Sequence, residues 1–323
     1  MKAITQDRYG STDVLRFREM DAPVPKAREV LVRVRAAGVD RGVWHLMRGL
    51  PYLVRVVSPR RPVSPVPGMD LAGVVEAVGP QVTRFQPGDE VYGSGTGGTF
   101  AELARARQDR LAAKPGNLTF EQAAAVPTSG STALQALRDQ ARVRQGQHVL
   151  VIGASGGVGG FAVQIAKSLG AEVTGVCGPA KADLVRSLGA DHVIDYTRDD
   201  LTAPSVRYDA VIDIAGNRPL SRLRRLLTPR GTLVIVGGEE GGRWLGGMER
   251  NLRLLLLSPF ARHRLRAPIA LTRTRDLDEL RGLIESGAVT PHVDRAYPLR
   301  EAPEAIRRLE RGEVRGKLVI TVP

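Results

Sequence analysis

From His148 to Gly178 the chain reads HVLVIGASGGVGGFAVQIAKSLGAEVTGVCG. The opening run, Val149-Leu150-Val151-Ile152, is too short for a helix and the right length for a buried parallel strand. A turn of small residues follows, Gly153-Ala154-Ser155-Gly156-Gly157-Val158-Gly159. Phe161, Ile165 and Leu169 then recur at helical spacing, with Val163 and Ala166 flanking that face, and Gly170 stops the helix. Glu172 to Cys177 reads as a second strand. Strand, glycine turn, helix and strand in this order are the context that a dinucleotide fingerprint requires.

The turn residues have separate tasks. A small residue at Ala154 permits a sharp exit from the strand, and Gly156 lets the backbone approach a pyrophosphate that a Cβ would block. Gly159 lets helix and strand pack closely, and the helix N-terminus offers N–H groups to the phosphates. The first position of the G-x-G-x-x-G pattern is Ala154 here. A tight turn in some other α/β protein is the competing reading, and the elements on either side weigh against it.

Working outward, the first part of the chain is β-rich and irregular. Val30 to Val34 alternates apolar and charged residues, and Leu71 to Gly79 is a second strand pattern. Phe85 to Tyr92 is a turn entering another strand, so a small β-barrel-type domain is expected. The style changes near Phe120, where Thr119 and Gln122 form a capping-box signature. Thr128 to Leu137 reads as a helix before the glycine turn. After it, helices over Ala182 to Leu188 and Leu220 to Leu227 alternate with strands over His192 to Asp195, Tyr208 to Ile214 and Thr232 to Val236. Pro229-Arg230-Gly231 reads as the end of the second of these helices. This alternation is that of a doubly wound parallel sheet. A basic, leucine-rich amphipathic segment runs to Leu265. Helices over Leu277 to Ser286 and Ala302 to Arg311, and strands over Thr290 to Tyr297 and Gly316 to Ile320, complete the chain.

Composition narrows the function. Of 323 residues, 47 are Lys or Arg and 34 Asp or Glu, a net charge of +13, and the excess is spread along the chain. No recognition helix, zinc finger or aromatic stacking pattern accompanies it, so no specific nucleic-acid partner is expected. One cysteine, Cys177, excludes an internal disulfide framework and a cysteine-built zinc site. No secretory signal and no membrane-spanning run are visible, which leads us to expect a soluble, cytoplasmic protein.

Several ordered motifs carry a resemblance: Val66-Pro67-Gly68-Met69-Asp70-Leu71-Ala72-Gly73, Pro87 to Val91, Ala124 to Pro127, Gly153 to Gly159, Leu188 to Asp191 and Gly316-Lys317. Through them nearly the whole chain resembles the zinc-independent, zeta-crystallin-like quinone oxidoreductase branch of the medium-chain dehydrogenase/reductase superfamily. The resemblance implies an α/β protein with a GroES-like barrel-type domain over residues 1–122. A Rossmann domain is inserted over 123–265, and residues 266–323 return to the first domain. It also implies a homodimer paired through the last Rossmann strand, placed here at Thr232 to Val236. Zinc-dependent relatives have Pro-Gly-His-Glu where this chain has Pro67-Gly68-Met69-Asp70, and His45 stands alone, so no metal is expected.

The cofactor follows from position. NAD-preferring domains place an acid at the end of the second strand; here Cys177-Gly178-Pro179 carries none, and Lys181 follows. NADPH is therefore expected, with Lys181 on the 2′-phosphate; Cys177 also reads as a small packing residue. The carboxyl ends of the strands select Ala215-Gly216-Asn217 and Gly237-Gly238 as further cofactor contacts. The resemblance places Tyr196 near the adenine ribose, and Thr128 and Thr132 near the nicotinamide. It implies hydride transfer to a quinone or an α,β-unsaturated carbonyl, with a donor needed for the developing oxyanion. Tyr52 and Asp40 are the candidates; the family commonly has Asn at Asp40, and an ionised Asp cannot donate. Asp40 pairs with Arg41, holds a proton, or is structural. A zinc-free alcohol or aldehyde reductase and an NADPH-binding sensor with little turnover stand as alternatives. Specificity would lie in Leu46 to Pro67 and Gly241 to Pro268, which have no readable code.

Overall fold

The computed structural model describes all residues except Val57, Asp200, 202–205, Asn217, 239–241, Arg243, Leu245, Gly247 and 259–260, and only the backbone of Met248, Leu255 and Leu257. It divides into two compact units. The first comprises residues 1–131, 271–287 and 291–323; the second, 132–270 and 288–290.

In chain order the first unit opens with strands β1 (Lys2–Thr5), β2 (Arg16–Glu19) and β3 (Glu29–Val39). Helix α1 (Arg41–Arg48) comes next, capped by Asp40 and closed by Gly49 at φ 61°. Strands β4 (Asp70–Val78), β5 (Glu90–Ser94), β6 (Leu103–Arg107) and β7 (Leu111–Ala113) follow. Then come α2 (Phe120–Ala124), with both halves of the predicted Thr119–Gln122 capping box formed, and α3 (Pro127–Leu134). A π-helical stretch, Gln135–Ala141, continues α3, and Arg142 in the left-handed region ends it.

The second unit is built from β8 (His148–Ile152), α4 (Gly157–Ser168), β9 (Glu172–Cys177), α5 (Ala182–Ser187) and β10 (His192–Asp195). It continues with β11 (Tyr208–Asp213), α6 (Leu220–Arg225), β12 (Leu227–Ile235), α7 (Met248–Leu257) and β13 (Arg264–Arg266). The chain then supplies α8 (Thr274–Glu285), β14 (Val293–Pro298), α9 (Ala302–Glu310) and β15 (Lys317–Thr321) to the first unit.

Strand β3 organises the first unit. Its valines 30, 32 and 34 are buried, as the alternation predicts. It pairs with β4 on one side; on the other, residues 36–39 pair with β15 and 29–33 with β6. Splitting one strand edge between two partners turns the corner of a barrel-type sheet, whose order is β14-β15-β3-β4-β5-β7. Its core gathers Ile4, Leu71, Phe100, Ile306 and Ile320. Tyr92, buried in β5, donates its hydroxyl hydrogen to the Leu277 carbonyl at 2.6 Å and so holds α8 on this sheet.

The second unit is the expected parallel sheet, in the order β10-β9-β8-β11-β12-β13. Two readings are corrected. The strand expected at Thr232 to Val236 is internal to the sheet; the last strand is β13, which pairs with β12 from Thr232 to Val234. Pro229-Arg230-Gly231 does not end a helix. Strand β12 already begins at Leu227, opposite Tyr208, and next pairs at Thr232, opposite Ala210. The turn-forming residues thus lie in an irregularity of the ladder, where a proline without an N–H is tolerated.

Candidate functional site

The second unit presents the glycine turn at the carboxyl end of β8. The left-handed residue that turns the chain is Gly153, at φ 89°, and not Ala154, which is simply buried behind it. Gly159 is required by the fold: a Cβ there would meet the Gly153 carbonyl oxygen at 2.1 Å and the Ala154 Cα at 2.8 Å. Gly156 differs. Its φ of −86° is open to any residue, and an added Cβ would touch only the Gly153 oxygen, at 3.5 Å. Nothing in the protein itself demands glycine at 156, which is what a position reserved for a ligand's approach looks like. Gly156 is the N-cap of α4, so the N–H groups of Gly157, Val158 and Gly159 occupy the first turn, where no intrahelical acceptor exists. Ser155 is buried beside them, while Gly156, Gly157 and Val158 stay partly accessible.

At the neighbouring strand ends the register sets Cys177 beside Asp195. The Cys177 thiol is buried, and burial and then the Asp195 charge push it up from its ordinary range, so it stays protonated. An acid is thus present one strand away from where the sequence shows none. Asp195 is occupied, however: its carboxylate accepts from the Thr197 N–H at 2.9 Å and hydroxyl at 2.7 Å, which hold it below the usual carboxylate range. Tyr196 is exposed, and its hydroxyl lies 3.5 Å from where a Gly178 Cβ would stand. Gly178 and Tyr196 therefore share one corner, and Lys181 follows at the start of α5.

Beyond β11, Gly216 has a φ of 72°, and a Cβ on it would meet the Gly237 carbonyl oxygen at 2.7 Å. A Cβ on Gly237 would meet the Ile214 oxygen at 2.1 Å, so the loops after β11 and β12 touch backbone to backbone beside Gly238. Asn217 lies outside the described residues. Sequence reasoning missed a buried pair here. Asp213, fully buried at the end of β11, accepts from Arg250 of α7 and from the Gly216 N–H at 3.2 Å. Among the described residues, Arg250 Nε and Nη1 are buried without a partner. The acid at the end of an apolar strand was the available signal.

The first unit holds a second buried polar group, centred on Asp70 of β4. Thr128 donates its N–H to one Asp70 oxygen at 3.0 Å and its hydroxyl to the other at 2.6 Å. Burial first, then the negative charge of Asp40, push the Asp70 carboxyl up to about 7, against the opposing pull of Lys317 and Thr128. Lys317 is buried at the head of β15 with no hydrogen-bond partner on Nζ among the described residues. Asp40 Oδ1 accepts from the Val43 N–H at 3.2 Å as the cap of α1, while Oδ2 is buried without a partner among the described residues. Tyr52 begins a 3-10 turn, Tyr52–Val56, and the Arg55 guanidinium lies over its ring at 5.0 Å. Thr128 thus falls in the first unit, its hydrogen committed to Asp70, and Thr132 in the second.

Two family models match: an alcohol dehydrogenase GroES-like domain over residues 26–116, and a zinc-binding dehydrogenase over residues 188–320. A quinone oxidoreductase of Pseudomonas aeruginosa is 34% identical over 336 residues, covering 99% of each chain. The chain belongs to the quinone oxidoreductase-like branch of the medium-chain dehydrogenase/reductase superfamily. Among solved structures, Escherichia coli quinone oxidoreductase complexed with NADPH is 27% identical, with a TM-score of 0.85 over 99% of this chain and 100% of that one. The CurK enoyl reductase is 25% identical, with a TM-score of 0.84 over 100% and 99%. The GroES-like and Rossmann parts of the family are the two units described above. Met69 packs against the first core, Cys177 is buried in β9, and the described residues include no group of three or more His, Cys, Asp or Glu placed to hold a metal ion. His45 lies on α1, its Nδ1 2.9 Å from the Leu50 carbonyl oxygen. No helix among the described residues is long and apolar enough to cross a membrane.

Proposed function

We propose that this oxidoreductase reduces quinones or α,β-unsaturated carbonyls with NADPH and without zinc. The observation that carries the cofactor reading is the turn after β8, where Gly156 is left open by the protein and three first-turn N–H groups stand ready for phosphate oxygens. Ala154 and Ser155 shape that turn from behind. Lys181, with Tyr196 beside Gly178, would receive a 2′-phosphate, since Asp195, the acid at the adjacent strand end, is already engaged by Thr197. Arg250 and the glycines 216, 237 and 238 would line the far part of the dinucleotide. Thr132 is kept as a contact on the nicotinamide side.

Bound NADPH supplies the hydride. The chain's task is to orient the dinucleotide and to provide a proton or hydrogen bond for the acceptor oxygen. In the first unit, burial and then the Asp40 charge raise the Asp70 carboxyl to about 7, so the proton available near neutral pH is held by Asp70, with Asp40 acting through its charge. Thr128, its hydrogen given to Asp70, would serve a ligand as an acceptor only. Tyr52 is the second donor. We also read the protein as a homodimer joined along β13, the edge of the parallel sheet.

The test is NADPH oxidation, followed by absorbance, against 1,4-benzoquinone, 9,10-phenanthrenequinone and a set of enones, with NADH in parallel and metal analysis of the same preparation. Rapid, NADPH-selective turnover by protein lacking stoichiometric zinc is expected. Tight NADPH binding with no turnover on any acceptor would overturn the reductase reading and leave a sensor.

A further inference from the structure

The described residues hold a second concave site, at the opposite end of the parallel sheet from the glycine turn. It is a cavity of about 850 Å³ at the amino ends of β11, β12 and β13. Arg207 precedes β11, Arg262 and His263 precede β13, and Arg224 and Arg225 project from the last turn of α6. Leu227 and Pro229 of β12 form an apolar wall. No carboxylate is among the described lining residues.

Three observations separate this cluster from an ordinary basic surface. Some arginines, such as Arg33, Arg105 and Arg308, face Glu76, Glu29 and Asp294; Arg224, Arg225 and Arg262, gathered at one cavity, have no ion pair among the described residues. Among the described residues Arg224 Nε and His263 Nδ1 are buried with no hydrogen-bond partner, and the guanidinium Nε is a donor that needs an acceptor. Burial, and then the Arg224 charge, hold His263 below the ordinary imidazole range. Support of the α6 carbonyl end explains that helix's own arginines, but not Arg207, Arg262 and His263, which converge from two other segments.

We infer that this cavity is a binding site for a small phosphate-bearing anion, separate from the dinucleotide site. Guanidinium groups match phosphate oxygens in pairs, and the volume suits a ligand of nucleotide size or less. Either a free polyphosphate or an organic phosphate supplies this chemistry; the Leu227–Pro229 wall gives the organic group a surface.

The test is calorimetric titration of the full chain with pyrophosphate and with ADP, each repeated with excess NADPH. Arg224→Ala/Arg262→Ala is compared with Arg18→Ala/Arg28→Ala, which removes the same charge from exposed positions in the first unit. Saturable binding that survives NADPH and falls about ten-fold or more in the pocket variant, with little change in the control, is expected. NADPH affinity should be the same in both variants. ADP binding tighter than pyrophosphate would assign an organic phosphate, and equal affinity the free anion. Arg262→Gln alone, at an exposed position, gives the same reading if the double variant is unstable. The inference fails if wild type shows no saturable binding, if NADPH abolishes it, or if both double variants lose affinity equally.

Discussion

Asp70 shows how one buried side chain can carry a pH dependence for the whole protein. Its folded value lies near 7, above the ordinary 3.8, so between these values the folded chain holds a proton that the unfolded chain has released. Stability from this group is therefore present below pH 4 and lost as pH rises through 7. Asp70→Asn lacks the titration, so its melting temperature relative to wild type should climb between pH 5 and pH 8; a constant difference across that range would contradict the assignment. Lys181 offers a second residue-level test. Lys181→Ala should weaken NADPH about ten-fold, the loss of one charged hydrogen bond, and leave NADH nearly unchanged. Equal loss for both nucleotides would remove its assigned role. The position of Lys181, just after a strand end, could be read from the sequence; its role rests on this test. Asp70 and Lys317 were visible only as motif residues, since alternation tells which positions are buried and not which buried positions meet across a sheet.

At the level of elements, β8, α4 and β9 were readable because their periods are strong and the glycines between them have steric reasons. The same turn yields a paired prediction. Gly159→Ala should lower stability by on the order of 3 kcal/mol, because its Cβ collides with backbone that cannot move aside. Gly156→Val should melt within a few degrees of wild type and lose NADPH affinity, measured by fluorescence titration. Retained affinity would put the pyrophosphate elsewhere. Strand β12 was misread for a physical reason: Pro229 and Gly231 are turn residues by propensity, and here they occupy a ladder irregularity that only the facing strand, β11, defines. The helix through Thr128 was legible, its π-helical continuation was not, because no local residue type announces the wider turn.

For the whole molecule, the order of motifs along the chain announced a barrel-type unit interrupted by a parallel sheet. Which strand ends that sheet was not announced, because β13 is only three residues long and its neighbours fall in a basic stretch without period. The dimer reading therefore rests on Arg264–Arg266. Leu265→Pro, which deletes a backbone donor next to that edge, should shift a dimer toward monomer by size-exclusion chromatography with light scattering. A wild-type protein that is already monomeric would remove the reading.

The pairing of β15 with β3 also has a consequence for synthesis on the ribosome. Val39 and Leu318 are neighbours across this ladder although about 280 residues separate them in the chain. At ordinary elongation rates β3 waits roughly 15–55 s for its partner to emerge. During that time the nascent barrel has an open seam along residues 36–39, while the inserted parallel sheet, complete within its own stretch of chain, is free to fold first.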